Sequence, residues 1–119
     1  KMKKIILLTG ASSGIGKQTA EFLAKEGHKV YGGARRVNEM ESLKVFGVVP
    51  ISLDVTDENS IKNAVKEIIQ NEGRIDVLVN NAGYGSYGAI EDVTMEEARG
   101  QFEVNLFGLA RLTKECFHI

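Results

Sequence analysis

A single cysteine, Cys116, a single proline, Pro50, two histidines and no tryptophan rule out several kinds of chemistry for this 119-residue chain. One thiol excludes a disulfide within the chain and fits a reducing, cytoplasmic interior. His28 and His118 lie far apart with no metal-ligand spacing around either, so no metal is expected. An excess of one charge is missing too. Lysine and arginine number 15 against 16 acids, a formal net charge of −1, so no basic field is present to hold nucleic acid or an anionic membrane surface. No apolar run approaches the roughly 20 residues of a membrane-spanning helix. The aliphatic run from Ile5 to Leu8 is also too short for a signal-peptide core. The expected partner is a small molecule or another protein.

What is present is 43% hydrophobic content, enough for one core in one domain over residues 1–119. Short aliphatic runs at 4–9, 29–34, 48–53 and 76–80 read as strands, and stretches of helical period at 14–26 and 57–71 separate them. That alternation predicts βαβ units, an α/β fold and a parallel sheet. In the first helix Ile15, Thr19, Phe22 and Leu23 form the expected buried stripe, and Gly27 stands where a left-handed cap is wanted. In the second the stripe is Ile61, Val65, Ile68 and Ile69. Residues 37–43 leave room only for a short helix, and Gly47 with Pro50 makes the approach to the third strand irregular. No repeat or linker interrupts the chain.

The C-terminal third differs. Thr94 and Glu97 form a capping box, and the helix that follows carries two apolar stripes. Phe102, Leu106, Leu109, Thr113 and Cys116 make one; Phe107, Ala110 and Phe117 make the other. A surface helix needs one stripe, so the second expects a cover from further chain or from another subunit, a homo-oligomer formed through the 102–117 helix. The alternative is that Phe107 and Phe117 are scattered exposed apolars.

Residues 9–16 read TGASSGIG, a glycine-rich turn from the first strand into the first helix. A P-loop, G-x-x-x-x-G-K-[ST], fails by one residue, because five residues separate Gly10 from Gly16 and Gln18 replaces the magnesium-binding hydroxyl. The dinucleotide fingerprint G-x-G-x-x-G is not matched literally either. Its physical needs are nonetheless met: Gly10 can turn off the strand, Gly14 lets backbone approach a pyrophosphate, and Gly16 lets the helix pack on the sheet. The helix dipole and its free N–H groups would face the anion, with Ser12 and Ser13 adding hydroxyl donors. Read by itself, the stretch is either such a cradle or a tight turn without ligand.

T-G-x-x-x-G-I-G resembles the cofactor turn of the short-chain dehydrogenases/reductases. Asn80-Asn81-Ala82-Gly83 is similar to that family's N-N-A-G motif, Asp54-Val55 to its adenine-contacting acid, and Asn105 to its catalytic asparagine. The motifs stand in family order across essentially the whole chain. The resemblance implies a Rossmann-like, doubly wound parallel sheet in strand order 3-2-1-4 with helices on both faces. It implies cofactor contacts from Gly10, Ser12, Ser13, Gly14, Ile15, Gly16, Asp54, Val55, Asn81, Ala82 and Gly83, while Asn80 ties strands together. Asp54 has a second reading, as the cap of the helix that begins near Asp57.

The residue ending the second strand of such a unit selects between a ribose 2′-hydroxyl and a 2′-phosphate. Here the stretch is VYGGARR, with Ala34 where an acid would select NAD. Arg35 is placed to fork onto a phosphate, so NADP is the expected cofactor, with NAD possible. The bland reading makes Arg35 and Arg36 a solvated loop edge. Gly32 and Gly33 serve either close adenosine approach or ordinary strand packing.

The family's activity is hydride transfer between nicotinamide and a carbonyl or alcohol substrate. Its tyrosine, its lysine four residues later and its serine have no match here. Tyr31, Tyr84 and Tyr87 are followed four residues on by Arg35, Gly88 and Glu91. The chain is expected to be truncated relative to the family pattern and inactive alone, with Asn105 either catalytic or architectural. The alternative is a non-catalytic dinucleotide-binding or sensor module. Tyr84 and Tyr87 would line a substrate cleft or cover the sheet end.

Overall fold

The computed structural model describes residues 3–12, 14–81 and 115–117. Its elements run β1 (Ile5–Thr9), α1 (Gly14–Lys25), β2 (Lys29–Ala34), a 3₁₀ segment (Val37–Phe46), β3 (Val49–Ser52), α2 (Glu58–Glu72) and β4 (Val77–Val79). The four strands form one parallel sheet in the order 3-2-1-4, as the family resemblance implies. β1 is central, and all five of its residues are buried. A continuous aliphatic run suits such a position, because helices cover both of its faces.

Side chains alternate across β1 and so feed two cores. Ile5 and Leu7 join Tyr31, Ile51 and Leu53 beneath Ile61, Ala64, Val65 and Ile68 of α2. Leu8, with Val30 and Val48, lies on the opposite side against Ala20 of α1 and against Met40 and Leu43 of the 3₁₀ segment. Leu7 and Leu8 are wholly enclosed, and burying a side chain of that size contributes about 1.5–3 kcal/mol. At the amino edge, Asp76 Oδ2 accepts from the Ile5 N–H at 2.7 Å, and Arg74 Nε clamps both Asp76 oxygens at 3.0 and 2.9 Å. The entry to β4 is thereby tied to β1.

Glycines end the helical elements as left-handed caps. At Gly27 (φ +97°) the Gly27 and His28 amides donate back to the Ala24 and Leu23 carbonyls. Gly47 repeats the motif onto Lys44 and Leu43. Each pair satisfies carbonyls that the helix end would leave open.

Several boundaries and faces depart from expectation. The short helix expected over 37–43 is a 3₁₀ segment extending to Phe46. Val37, Met40, Leu43 and Phe46 recur every third residue, and all four pack on the same core; a helix of three residues per turn is what aligns them. In α1 the buried positions are Gly16 and Ala20, with Leu23 and Ala24 packed alongside. Ile15 and Phe22, expected inside, are 74% and 61% exposed. The helix is turned by one residue so that its small side chains, not its largest, lie on the sheet. In α2, Ala64 is buried where Ile69 was expected, and Ile69 is exposed.

Of the C-terminal helix expected over 102–117, Glu115, Cys116 and Phe117 are described and helical, and the remainder lies outside the described residues. Cys116 packs against the α2-side core. Burial pushes its thiol up to about 11, with Glu115 adding to the shift. Phe117 is exposed, which fits both a second apolar stripe and a scattered exposed apolar residue.

Candidate functional site

Because the strands are parallel, Thr9, Ala34, Ser52 and Val79 end at one edge of the sheet. β1 joins β2 through α1 on one face, whereas β3 joins β4 through α2 on the other, which opens a crevice at the carboxyl end of β1. Ligands of doubly wound sheets bind at such a switch point. The TGASSGIG turn occupies it.

Thr9 organises the crevice. Its hydroxyl is buried, donates to Asn80 Oδ1 at 2.8 Å and accepts from the Asn81 N–H at 2.8 Å. One hydroxyl therefore ties the ends of β1 and β4, and Asn80 has the strand-tying role expected of it. A threonine ending a buried aliphatic strand is the signal that could have marked Thr9 in the sequence. On the other side the Ala11 N–H donates to the Gly33 carbonyl at 3.3 Å, joining the turn to β2.

The three glycines are required for different reasons. Gly10 and Gly14 have φ of +67° and +58°, a region that side chains with a Cβ avoid. Among the described residues nothing lies within 4 Å of the position a Cβ on Gly14 would take. Gly16 has ordinary backbone but no room: a Cβ there would run into the Gly10 carbonyl and stand 2.5 Å from Asn81 Nδ2. Gly16 thus sets how closely α1 approaches the turn, and Gly14 leaves backbone accessible at the mouth. Ser12 is half-buried beside them, and Ile15 is exposed on the first turn of α1. Ser13, Ala82, Gly83, Tyr84, Tyr87 and Asn105 lie outside the described residues.

The two long helices begin differently. At α2 the Asp57 carboxylate accepts from the Asn59 and Ser60 amides, and Glu58 follows in the first turn. α1 has no acid in its first turn. Among the described residues its positive end therefore has none of the capping carboxylates that neutralise α2.

Asp57 supplies the cap of α2, which removes the capping reading of Asp54. Asp54 is held otherwise. Its Oδ1 accepts from the Thr56 N–H at 2.9 Å and from the Thr56 hydroxyl at 2.6 Å, and its own N–H donates to Ser60 Oγ at 2.9 Å. The Thr56 hydroxyl is the main influence holding the Asp54 carboxyl below its ordinary range. Burial opposes it, and the Thr56 amide and the Arg35 charge assist. Thr56 and Ser60 escaped the sequence reading, although an acid two residues before a threonine is a recurrent local turn pattern. Val55 is in the α2-side core, which leaves only its backbone for a ligand.

Arg35 and Arg36 are both exposed, and they differ. Arg36 Nη1 lies 3.7 Å from Glu39 Oε1, a loop-edge pair. Arg35 makes no hydrogen bond or ion pair among the described residues and acts on Asp54 only through its field. Gly32 and Gly33 are enclosed by the chain's own side chains. A Cβ on Gly32 would meet Ala11 and Met40, and one on Gly33 would stand 2.9 Å from Leu53 Cδ2. Strand packing accounts for both.

A depression of about 350 Å³ between β3 and α2, lined by Ser52, Ser60, Asn63 and Glu67 among others, includes no residue of the glycine turn. Among the described residues no group of three His, Cys, Asp or Glu could hold a metal, and no helix is long and apolar enough to cross a membrane.

The description of the short chain dehydrogenases matches residues 4–119. The 3-ketodihydrosphingosine reductase of Bacteroides thetaiotaomicron is 46% identical over 111 residues, which are 93% of this chain and 40% of that protein. Among solved structures, 3-ketoacyl-(acyl-carrier-protein) reductase from Brucella melitensis, complexed with NADH, superposes with a TM-score of 0.90 at 32% identity over 96% of this chain and 48% of that one. A variant of actinorhodin polyketide ketoreductase with NADPH superposes with a TM-score of 0.88 at 34% identity over 98% of this chain and 47% of that one. The chain spans less than half the length of each. The match runs from residue 4 to residue 119 and the sheet has the order 3-2-1-4, so the chain belongs to the short-chain dehydrogenase/reductase family.

Proposed function

We propose that this chain is the dinucleotide-binding part of an NADP-preferring oxidoreductase acting on a carbonyl or alcohol substrate. The observation that carries the reading is the contrast between helix starts: α2 is capped by its own Asp57, whereas α1 begins at a glycine with φ +58°, has open space beside it among the described residues and has no acid in its first turn. That start suits a diphosphate, which backbone N–H groups and the helix dipole would hold. The open position beside Gly14 is a cradle that a Cβ would fill, and the residues present fit the cofactor. When bound, the nicotinamide supplies the two-electron donor or acceptor for carbonyl and alcohol interconversion.

Each remaining role falls to the chain's own residues. Arg35, exposed and without a hydrogen bond or ion pair among the described residues, would take the 2′-phosphate, with Ala34 offering no carboxylate to repel it. Asp54 would accept from the adenine amino group. Thr9 and Asn80 hold the crevice open between β1 and β4, with Asn81 beside Gly16 and the cofactor. Ser13, Ala82, Gly83 and Asn105 enter through their motif positions. NADPH in one related complex and NADH in another make the nucleotide choice a matter for measurement. Titration of both reduced dinucleotides by nicotinamide fluorescence tests it. Arg35→Ala is expected to weaken NADPH about tenfold or more, the scale of a charge-assisted hydrogen-bond pair, and to leave NADH unchanged. Equal loss for both would reject the NADP preference.

The 119 residues contain no tyrosine with a lysine four positions later. Loss of a positioned general acid removes roughly 10²- to 10⁴-fold of rate, so the chain alone is expected to show no NADPH oxidation with a panel of ketones and aldehydes. A steady rate abolished by Asn105→Ala would refute that.

A further inference from the structure

Asp54 is held by four hydrogen bonds, none of which caps a helix, and in one of them its carbonyl accepts from the Asp57 N–H at 3.0 Å. Ser60 Oγ accepts from its backbone N–H at 2.9 Å, and the Thr56 N–H and hydroxyl both donate to Oδ1 at 2.9 and 2.6 Å. Capping of α2 is complete without it, through Asp57. Oδ2 has no hydrogen-bond partner among the described residues. A half-buried carboxylate fixed through one oxygen and open at the other is a preorganised acceptor. It sits one residue past the end of the Leu53 N–H to Ala34 carbonyl bond of 2.9 Å, next to Arg35 at the neighbouring strand tip.

We infer that Thr56 is a positioning residue for base recognition: its hydroxyl and amide orient Asp54 so that the free oxygen selects a purine with an amino group at C6. The inference rests on the dinucleotide reading above, adenine contact by Asp54 included, and adds to it a positioning residue. A carboxylate accepts from the adenine amino group, whereas a carbonyl at the same position, as in hypoxanthine, meets it with lone pair against lone pair. Discrimination of this kind depends on orientation, because a freely rotating carboxylate relaxes away from the wrong base. Thr56 is exposed and carries no core packing, so its hydroxyl can be removed with little change elsewhere.

The test compares NADPH with reduced nicotinamide hypoxanthine dinucleotide phosphate, each titrated by nicotinamide fluorescence, with thermal unfolding followed on the same samples. The wild-type protein should prefer NADPH by about tenfold, the scale of one charge-assisted hydrogen bond. Thr56→Val should reduce that preference about fivefold, and Thr56→Ser, which keeps the hydroxyl, should restore it. In an Asp54→Ala background Thr56→Val should change the preference no further, since the residue acts through Asp54. Thr56→Val with an unchanged preference, or Thr56→Ser as deficient as the valine variant, overturns the inference and leaves the dinucleotide reading standing. A wild-type protein that binds NADPH without preferring adenine removes the base-selecting role of Asp54, and with it that of Thr56. A protein that binds neither dinucleotide overturns the proposed function itself.

Discussion

Two glycines in one turn are expected to fail differently when replaced. Gly16 lacks room, so Gly16→Ala presses a methyl into the Gly10 carbonyl and Asn81. Overpacking of that kind costs about 1–3 kcal/mol, to be read as a lower urea midpoint. Gly14 has room but needs positive φ, and an L-residue there costs about 1–2 kcal/mol. Gly14→Asp adds a carboxylate at the start of α1, which offsets part of that cost through the helix dipole while repelling a diphosphate. The aspartate variant is therefore expected to be at least as stable as Gly14→Ala in urea, yet to lose NADPH binding. Binding that survives Gly14→Asp would contradict the cradle.

At the scale of elements, caps and faces carry separable energies. Asp57→Ala removes the acceptor of two α2 amides and is expected to cost about 1 kcal/mol. Phe22 is exposed on α1, so Phe22→Gln should change stability by less than about 0.5 kcal/mol. Leu8→Ala, in the enclosed core, should cost about 2–5 kcal/mol. Equal losses for Phe22→Gln and Leu8→Ala would contradict the observed face of α1. Strand order was legible through the family resemblance, and both long helices and the cap at Gly27 were legible because each rests on local pattern. The inward face of α1 was not, because a stripe of small residues has no hydropathy signal; the glycine that must touch the turn chose the face. The length of the 3₁₀ segment was present as a three-residue apolar period from Val37 to Phe46, which a search for helical spacing of 3.6 passes over.

For the molecule as a whole, titration bounds the stable range. Asp76 is held below its ordinary 3.8 first by the Ile5 N–H, and Asp54 first by Thr56. A depressed carboxyl contributes stability that is present above 3.8 and lost as pH falls through the folded-state value. Asp54→Asn and Asp76→Asn should therefore flatten the acid limb of a urea-stability profile. Tyr31 is raised above 10.0, by burial first and then by its 2.6 Å bond to Glu72. Its contribution is complete below 10.0 and lost as pH rises through the folded-state value. Tyr31→Phe should flatten the alkaline limb, and an unchanged limb would place the loss elsewhere.

Alternation of aliphatic runs with helical periods, together with the order of four motifs, was enough by itself to determine a parallel α/β sheet and its family, since both are encoded by neighbours in the chain. Only the tertiary structure decided that Asp57 caps α2 and leaves Asp54 held by Thr56, that Gly32 and Gly33 are packed by Met40 and Leu53, and that Arg36 faces Glu39 while Arg35 has no hydrogen bond or ion pair among the described residues. These outcomes depend on which of several equally suited partners comes within hydrogen-bonding or contact distance, and that distance is set by how the helices settle on the sheet.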